Sequence, residues 1–434
     1  MREMGRFSTY EDAIRYLYGL QKYGIKFGLS KTENLMAGVG NPHEGRAYIH
    51  IAGTNGKGSI AAFLNAVLKE AGYKVGLYTS PHLVRFTERF KINGREISKD
   101  RVVDLTNLLR DKTVEEEPPT FFEFTTAMAL VYFAQENTDI SIMEVGMGGR
   151  LDATNIIWPL ITVISNIAME HQFFLGNRLL DIAKEKAGII KPRVPVVTGV
   201  SKKKVVELFR ETCKTKAAPM IRIGEHVRYR YHCRRLAYFG TKWRLKDLEL
   251  GLKGRFQAKN AAIALAALEE LDRLGFPVDR DALIKGLKNA SWPGRMHILR
   301  SNPTVVLDGA HNPKAMQTLA KTVKEEIDHE RLIVVIGIME DKDIKKILKQ
   351  IVPHADYVIY TRPRYSRAAR PEVLYEQGKA LHRSGSTIGK LEDAIDKAIA
   401  MARPKDLVVI CGSLFTVGEA LSYLDPLNFE SEEV

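Results

Sequence analysis

Along the chain, short apolar runs alternate with stretches in which apolar residues recur every three to four positions. Tyr48-Ile-His-Ile-Ala52, Val75-Gly-Leu-Tyr78, Ile140-Ser-Ile-Met143 and Ile161-Thr-Val-Ile164 are runs of strand length, each followed by Gly or polar residues. Amphipathic segments at Ile60–Ala71 and near 100–110, 121–136 and 179–188 lie between or after them and predict helices. Strands buried on both faces need such runs, so this order predicts a mainly parallel sheet covered by helices. Residues 219–252 change character. The period-two stretch Val227-Arg-Tyr-Arg-Tyr231 predicts an antiparallel excursion, and the Ala/Leu stripe over 256–273 predicts a helix. A second series follows, with strands at Val305-Val-Leu307, Leu332-Ile-Val-Val-Ile336, Tyr357-Val-Ile-Tyr360 and Leu407-Val-Val-Ile410, each with a helix after it. The Pro-Gly turn in Ser291-Trp-Pro-Gly-Arg295 separates the two series. The expected organisation is two α/β domains, 1–296 and a smaller 297–434. A site for two substrates is expected in the cleft between them, at the carboxyl ends of strands.

Length and composition fit this picture. A chain of 434 residues exceeds one ordinary core, and 45% hydrophobic with 27% charged residues is globular composition. No apolar run approaches the roughly 20 residues of a membrane helix. The opening Met1-Arg-Glu-Met-Gly-Arg-Phe-Ser-Thr-Tyr-Glu-Asp12 carries charge where a secretory signal has an apolar core. The expectation is a cytoplasmic protein without a membrane partner and, lacking an evident large apolar surface, a monomer. Cys213, Cys233 and Cys411 match neither a disulfide framework nor a zinc site and read as reduced thiols. A net charge of +13 favours anionic partners. Lys202, Lys203, Lys204 and the stretch Arg228–Arg235 read as solvated faces, since no nucleic-acid motif accompanies them. No nucleic-acid partner is expected. The acidic Glu430–Glu433 reads as a frayed end.

Chemistry concentrates in a few strings. Gly53-Thr-Asn-Gly-Lys-Gly-Ser59 lies between a strand and a helix, where backbone N–H groups and a helix N-terminus can cradle phosphate. Lys57 adds a point charge and Ser59 can reach magnesium, although Gly58 separates the two, unlike the usual G-x-x-x-x-G-K-[ST] string. Glu144 closes a strand before a glycine-rich turn, placing an oxygen ligand suited to Mg²⁺ beside the phosphates. Ser80 and His171 follow two other strands, so three strand ends present candidate magnesium ligands. Histidine is an unusual magnesium ligand, and His171 taken alone reads more readily as a hydrogen-bonded structural residue. Lys186, beside Glu185 near a helix end, reads as a surface charge pair. Asp308 and His311 in Leu307-Asp-Gly-Ala-His-Asn-Pro313 sit at a strand-to-helix turn, where Asp308 can accept from ribose hydroxyls. His311 and Arg295 can face phosphates, and helix capping is the competing role. Glu340–Asp343 and Cys411–Phe415 read as structural turns.

The strings are more specific than their chemistry. His50–Ser59, Tyr78-Thr-Ser-Pro-His-Leu83, Thr120-Phe-Phe-Glu-Phe-Thr-Thr126, Glu144–Asn155, Ile182–Lys191, Gln257-Ala-Lys-Asn260, Trp292-Pro-Gly-Arg295 and Asp308–Pro313 occur in order along the chain. Together they resemble the bacterial folylpolyglutamate synthase/dihydrofolate synthase family of the Mur ligase superfamily. The resemblance implies a P-loop-type, mainly parallel domain followed by a smaller Rossmann-like α/β domain. It implies an ATP- and magnesium-dependent ligase that adds L-glutamate to dihydropteroate, to the γ-carboxylate of reduced folates, or to both, through an acyl phosphate. ATP would be held by Thr54, Asn55, Gly56, Lys57, Gly58, Ser59, Asn260, Arg295 and Asp308, with His311 near its phosphates. Ser80, Glu144 and His171 would bind magnesium, and a carbamylated Lys186 would bind a second magnesium. Glu123, Phe124, Thr125 and Asp152 would line the pteridine or pteroate pocket. Catalysis would rest on Lys57, Lys186 and His311.

Two positions depart from the family pattern: Glu170 stands where Asp usually precedes the metal-binding histidine, and Arg178 occupies a position usually held by Thr. They bear on loop geometry and substrate preference. An enzyme of tail extension alone, or another Mur-type amino-acid ligase, is the alternative. A peptidoglycan ligase would need a larger domain before Gly53, where only 52 residues stand, reading as one helix and a loop. A plain P-loop kinase would leave the Asp308/His311 turn without a purpose.

Overall fold

The computed structural model describes residues 6–24, 26–114, 116–381 and 384–432. Its first sheet comprises β1 (Tyr48–Ala52), β2 (Val75–Tyr78), β3 (Phe90–Ile92), β4 (Arg95–Glu96), β5 (Ile140–Glu144), β6 (Ile161–Ile164), β7 (Val196–Thr198) and β8 (Met220–Arg222). The strand order is β4-β3-β2-β5-β1-β6-β7-β8. Six strands run parallel, and the hairpin β3–β4 adds antiparallel strands at one edge. β1 lies in the interior of the sheet, every residue buried, as its unbroken apolar pattern requires. Ile51 pairs with Glu144 and Ala52 with Ile164, so the ends of β5, β1 and β6 lie level.

The antiparallel excursion is a three-stranded sheet of β9 (Arg228–His232), β10 (Arg235–Phe239) and β11 (Arg244–Glu249). Leu236, Tyr238, Leu245 and Leu248 face the helix Gln257–Arg273 and share its core. The Glu269 carboxylate accepts from the backbone N–H groups of Thr241 and Lys242, both at 3.0 Å, which fixes the intervening turn.

The second α/β sheet contains β12 (His297–Ser301), β13 (Thr304–Asp308), β14 (Leu332–Ile336), β15 (Tyr357–Arg362), β16 (Gly385–Lys390) and β17 (Leu407–Cys411). Its order is β12-β13-β17-β14-β15-β16, parallel except for β12. Separate apolar cores cover its two faces.

The structure changes several expectations. Two α-helices, Tyr10–Gly19 and Ser30–Gly38, joined through a 3₁₀ turn, precede β1 instead of one helix and a loop. The helix after β1 begins at Lys57, three residues before the expected Ile60. Among residues 430–432 of the acidic end, Glu432 is docked and not frayed. Tyr10 donates its hydroxyl to Glu432 at 2.7 Å, and the Phe86 N–H donates to its other oxygen at 3.1 Å. Glu433 lies outside the described residues. Arg85 donates to the Asn428 carbonyl, and Leu83 packs with the core that includes Val417. The end of the chain is thus fastened to the first sheet's domain. No helix among the described residues is long and apolar enough to cross a membrane.

Candidate active site

Four adjacent strands of the first sheet, β2-β5-β1-β6, present Ser80, Glu144, the Gly53–Ser59 loop and Glu170/His171 from their carboxyl ends. All of these ends line one cavity of about 510 Å³, closed on the other side by Arg295, Asp308, His311, Lys314, Thr318 and Leu319. Parallel topology causes this convergence, since every strand delivers its following loop to the same edge.

The loop between β1 and the helix Lys57–Glu70 is shaped by glycine. Gly56 has φ +89° at the helix N-cap, and a Cβ there would lie 2.7 Å from Asn260 Oδ1. At Gly53 (φ +136°) a Cβ would lie 1.9 Å from Ser165 Oγ. No side chain caps this helix, so its first N–H groups remain for an anion. Thr54 exchanges hydrogen bonds with Ala168, donating to its carbonyl and accepting from its N–H. Asn260 lines the cavity and donates to Gln257, while Gln257 donates to the Ser59 hydroxyl.

Two lysines meet at the start of the loop. Lys57 Nζ donates to the Gly53 carbonyl at 3.2 Å and stands 3.9 Å from Glu144. Lys186 Nζ donates to the same carbonyl at 3.0 Å and pairs with Glu170 at 2.7 Å. The surface reading of Lys186 is therefore overturned: it is 2% exposed, and Glu185 pairs with Arg150 instead. Burial works against the Glu170 carboxylate, but Lys186 and Lys57 hold it below the usual carboxylate range. Burial also pushes the Lys186 ammonium down, opposed by Glu170. Glu144, facing the more distant Lys57, is pushed up by burial. Burial lowers His171 to about 4 and His311 to about 4, so both are neutral near pH 7.

These groups suit a hard cation. Ser80, Glu144 and Glu170 offer oxygen, His171 one ring nitrogen, and the Glu144 carboxylate has a loose ionic partner. No cluster of three or more His, Cys, Asp or Glu that could hold a metal occurs among the described residues. Such a sparse protein shell fits magnesium, which keeps waters and shares substrate phosphates.

In the second domain, the Asp308 carboxylate accepts from the N–H groups of Met296 at 2.8 Å and Ala310 at 2.9 Å. It thereby fixes the interdomain connection against its own turn. Burial raises it, and the nearby Arg295 opposes the rise. His311 Nδ1 is 2.9 Å from the Gly309 carbonyl, which orients its ring.

Glu123, Phe124, Thr125 and Asp152, expected to line a pteridine or pteroate pocket, are each engaged within the fold outside the interdomain cavity. Glu123 turns back on the Thr120 N–H at 2.7 Å in a capping box, and Phe124 is fully buried. Thr125 bonds the Tyr78 hydroxyl, and Asp152 accepts from Met147 and Thr154. None of the four lines the cavity. Phe122, also outside the cavity lining, packs behind cavity-lining Gly146, where a Cβ would approach its ring within 2.5 Å. Asn312 and Glu170 also enter the constellation without having been assigned roles. Arg178 is exposed and pairs with Asp181 at 3.0 Å, away from the cavity.

Residues 51–268 match the Mur ligase middle domain and residues 294–414 the Mur ligase glutamate ligase domain. The chain is 35% identical over 426 residues to the dihydrofolate synthase/folylpolyglutamate synthase of Bacillus subtilis, covering 95% of this chain and 98% of that one. It is 36% identical over 428 residues to a probable bifunctional folylpolyglutamate synthase/dihydropteroate synthase of Haloferax volcanii, covering 95% of this chain but only 50% of that longer protein. Among solved structures, E. coli FolC in complex with DHPP and ADP superimposes with a TM-score of 0.90 at 33% identity, covering 97% and 99% of the two chains. A bifunctional folylpolyglutamate synthase/dihydrofolate synthase with Mn, AMPPNP and L-glutamate bound gives 0.86 at 29% identity, covering 97% and 100%.

Proposed function

The chain belongs to the folylpolyglutamate synthase/dihydrofolate synthase family of Mur ligases, and from that premise we propose how its cavity joins glutamate to a folate-type acid. It is an ATP-dependent, divalent-metal-using ligase. The observation that carries the reading is the meeting of the phosphate loop, two lysine–glutamate pairs and the Arg295/Asp308/His311 turn around one interdomain cavity.

A carboxylate acylates poorly, so amide formation begins by transferring the terminal phosphoryl group of ATP to it. The amine of glutamate attacks the acyl phosphate and phosphate leaves. The free N–H groups at the start of the helix Lys57–Glu70 bind the phosphates. Lys57, on release from the Gly53 carbonyl, stabilises charge on the transferred group. Ser80, Glu144 and His171 hold the magnesium ion, which supplies charge neutralisation at the phosphates. His311, neutral and oriented by Gly309, faces the phosphates from the second domain, and Arg295 does so from the interdomain connection. Asn260 and Asp308 hold the nucleoside. Residues 1–296 constitute the ATP- and folate-binding part and 297–434 the glutamate-ligase part.

Phe122, behind Gly146, backs the wall against which the aromatic part of the acceptor packs. Carbamylation of Lys186 belongs to the same reading. Its lysine lies buried behind cavity-lining Glu170 with a depressed ammonium pKa, and carbamate formation releases it from Glu170. Incubation with carbon-13 bicarbonate should produce a carbamate carbonyl signal that is absent from K186A. A cytoplasmic monomer is the accompanying proposal, supported by three free cysteines.

The test is glutamate-dependent ADP release with dihydropteroate and tetrahydrofolate as separate acceptors, products identified by mass. Turnover with both defines a bifunctional enzyme, and with tetrahydrofolate alone a tail-extending one. Inactivity of folded protein with both would remove the folate reading.

A further inference from the structure

Two side chains bridge the phosphate loop and the second domain directly. Asn312 Nδ2 donates to Asn55 Oδ1 at 2.9 Å, and Asn55 Nδ2 stands 3.5 Å from Asn312 Oδ1. Each end of this bridge is anchored. The Asn55 carbonyl accepts from Ser165 Oγ at 2.8 Å and Asn166 Nδ2 at 2.7 Å, and its N–H donates to Asn166 Oδ1 at 3.1 Å. Those partners follow β6, on the segment leading to Glu170 and His171. Asn312 caps the 14-residue helix Pro313–Glu326, accepting from the Ala315 N–H at 2.9 Å, and is 5% exposed. It also directly follows the turn that carries Asp308 and His311.

We propose that Asn312 is a positioning residue that couples the filled phosphate loop to the placement of the second domain. A serine, threonine or aspartate would cap the helix as well. The donated amide bond to Asn55 is what asparagine adds at this position. With that bond in place, the loop that holds the phosphates and the turn that holds Arg295 and His311 share one hydrogen-bonded chain. A shift of the loop on nucleotide binding is thereby passed to the half of the cavity that receives glutamate. Without it, the acyl phosphate would face a less well closed cleft and water would compete with the amine. This rests on the ligase reading above, but one of its readouts does not.

N312S keeps the cap and is too short to reach Asn55. N312T likewise keeps the cap with a hydroxyl too short to reach Asn55 and replaces N312S if that variant fails to fold. Y10F is the control, because it loosens the interdomain fastening at Glu432, remote from the loop. The first readout is compaction on adding AMPPNP with magnesium, followed by small-angle X-ray scattering. Wild type and Y10F should compact and N312S should not. The second is the ratio of ADP released to amide formed, near one for wild type and Y10F and raised for N312S. Its kcat should fall about tenfold, the size expected for one well-made hydrogen bond, with little change in AMPPNP affinity. Normal compaction and coupling in N312S, equal defects in Y10F, or no compaction in wild type would each overturn the role. If wild type forms no amide yet compacts only when Asn312 is intact, the ligase reading fails and the coupling stands.

Discussion

The two α/β sheets share an architecture but treat their strand ends differently. The eight-stranded sheet collects polar and ionisable groups at four adjacent ends and leaves their bonding unfinished. Lys57 stands 3.9 Å from Glu144, and the helix behind the loop lacks a side-chain cap. In the six-stranded sheet, most ends close on themselves. Ser413 caps its helix through the Thr416 N–H at 2.9 Å, and the Thr416 hydroxyl donates to the Gly337 carbonyl at 2.9 Å. The end of β13 brings Asp308 and the following His311 to the cavity, and the end of β17 adds the apolar Leu414. Buried groups without full partners cost stability, so a fold keeps them where a ligand completes them. On the function proposed above, phosphate chemistry falls to the first sheet, and the second mainly presents one polar turn to it.

This contrast can be tested from its strongest point downward. K57A should lower kcat/KM by about a thousandfold, since Lys57 faces developing phosphoryl charge, with unfolding nearly unchanged. Retained activity would place the phosphate charge elsewhere. K186M leaves Glu170 buried without its cation and should destabilise the protein by about 3 kcal/mol in urea unfolding. Combining it with E170Q should restore part of that stability, and an equally unstable double variant would show that packing dominates.

His50, at the centre of the first sheet, is held neutral: burial lowers it to about 3, with its Nε2 2.8 Å from Thr154 Oγ1. Its folded pKa is below the unfolded value, so its contribution is complete above about pH 6.5 and is lost as pH falls towards 3. His50 should add about 1 kcal/mol per pH unit to the decline in that window, beside the buried His171 and His311, and H50N should remove that share of the slope. An unchanged slope would place the responsible proton elsewhere. On the second sheet, S413A should cost about 1 kcal/mol of stability through the lost cap while leaving the KM for ATP intact. The smallest effect is expected at Phe173, which is 92% exposed: F173A should change stability by less than about 0.5 kcal/mol. A larger loss would mean that its ring packs on something in solution.

The strong strands were legible because their apolar runs are buried on both faces, as in β1, β5, β14 and β17. The short edge strands were not. β7 has three residues after a proline, and β3–β4 is signalled mainly by its Asn93-Gly94 turn, where both residues have positive φ. The phosphate loop was readable from glycine and lysine spacing. Lys186 was not, because its burial depends on Glu170, sixteen residues away, and on Gly53 in another strand-end loop. Family resemblance nominated Lys186, and the structure supplies the physical reason that it is no surface charge. In the Phe121–Thr125 segment, helix phase determines which side chains turn inward, as with fully buried Phe124, and a matched string does not carry that phase.

The docked Glu432 also constrains the order in which the molecule can mature. Tyr10 and Glu432 are 422 positions apart, so the helix Tyr10–Gly19 cannot receive this partner until residue 432 has been made. At synthesis rates of roughly 5–20 residues per second, that helix waits tens of seconds with its tyrosine hydroxyl hydrated. The helix formed first is thus among the last to be fully seated.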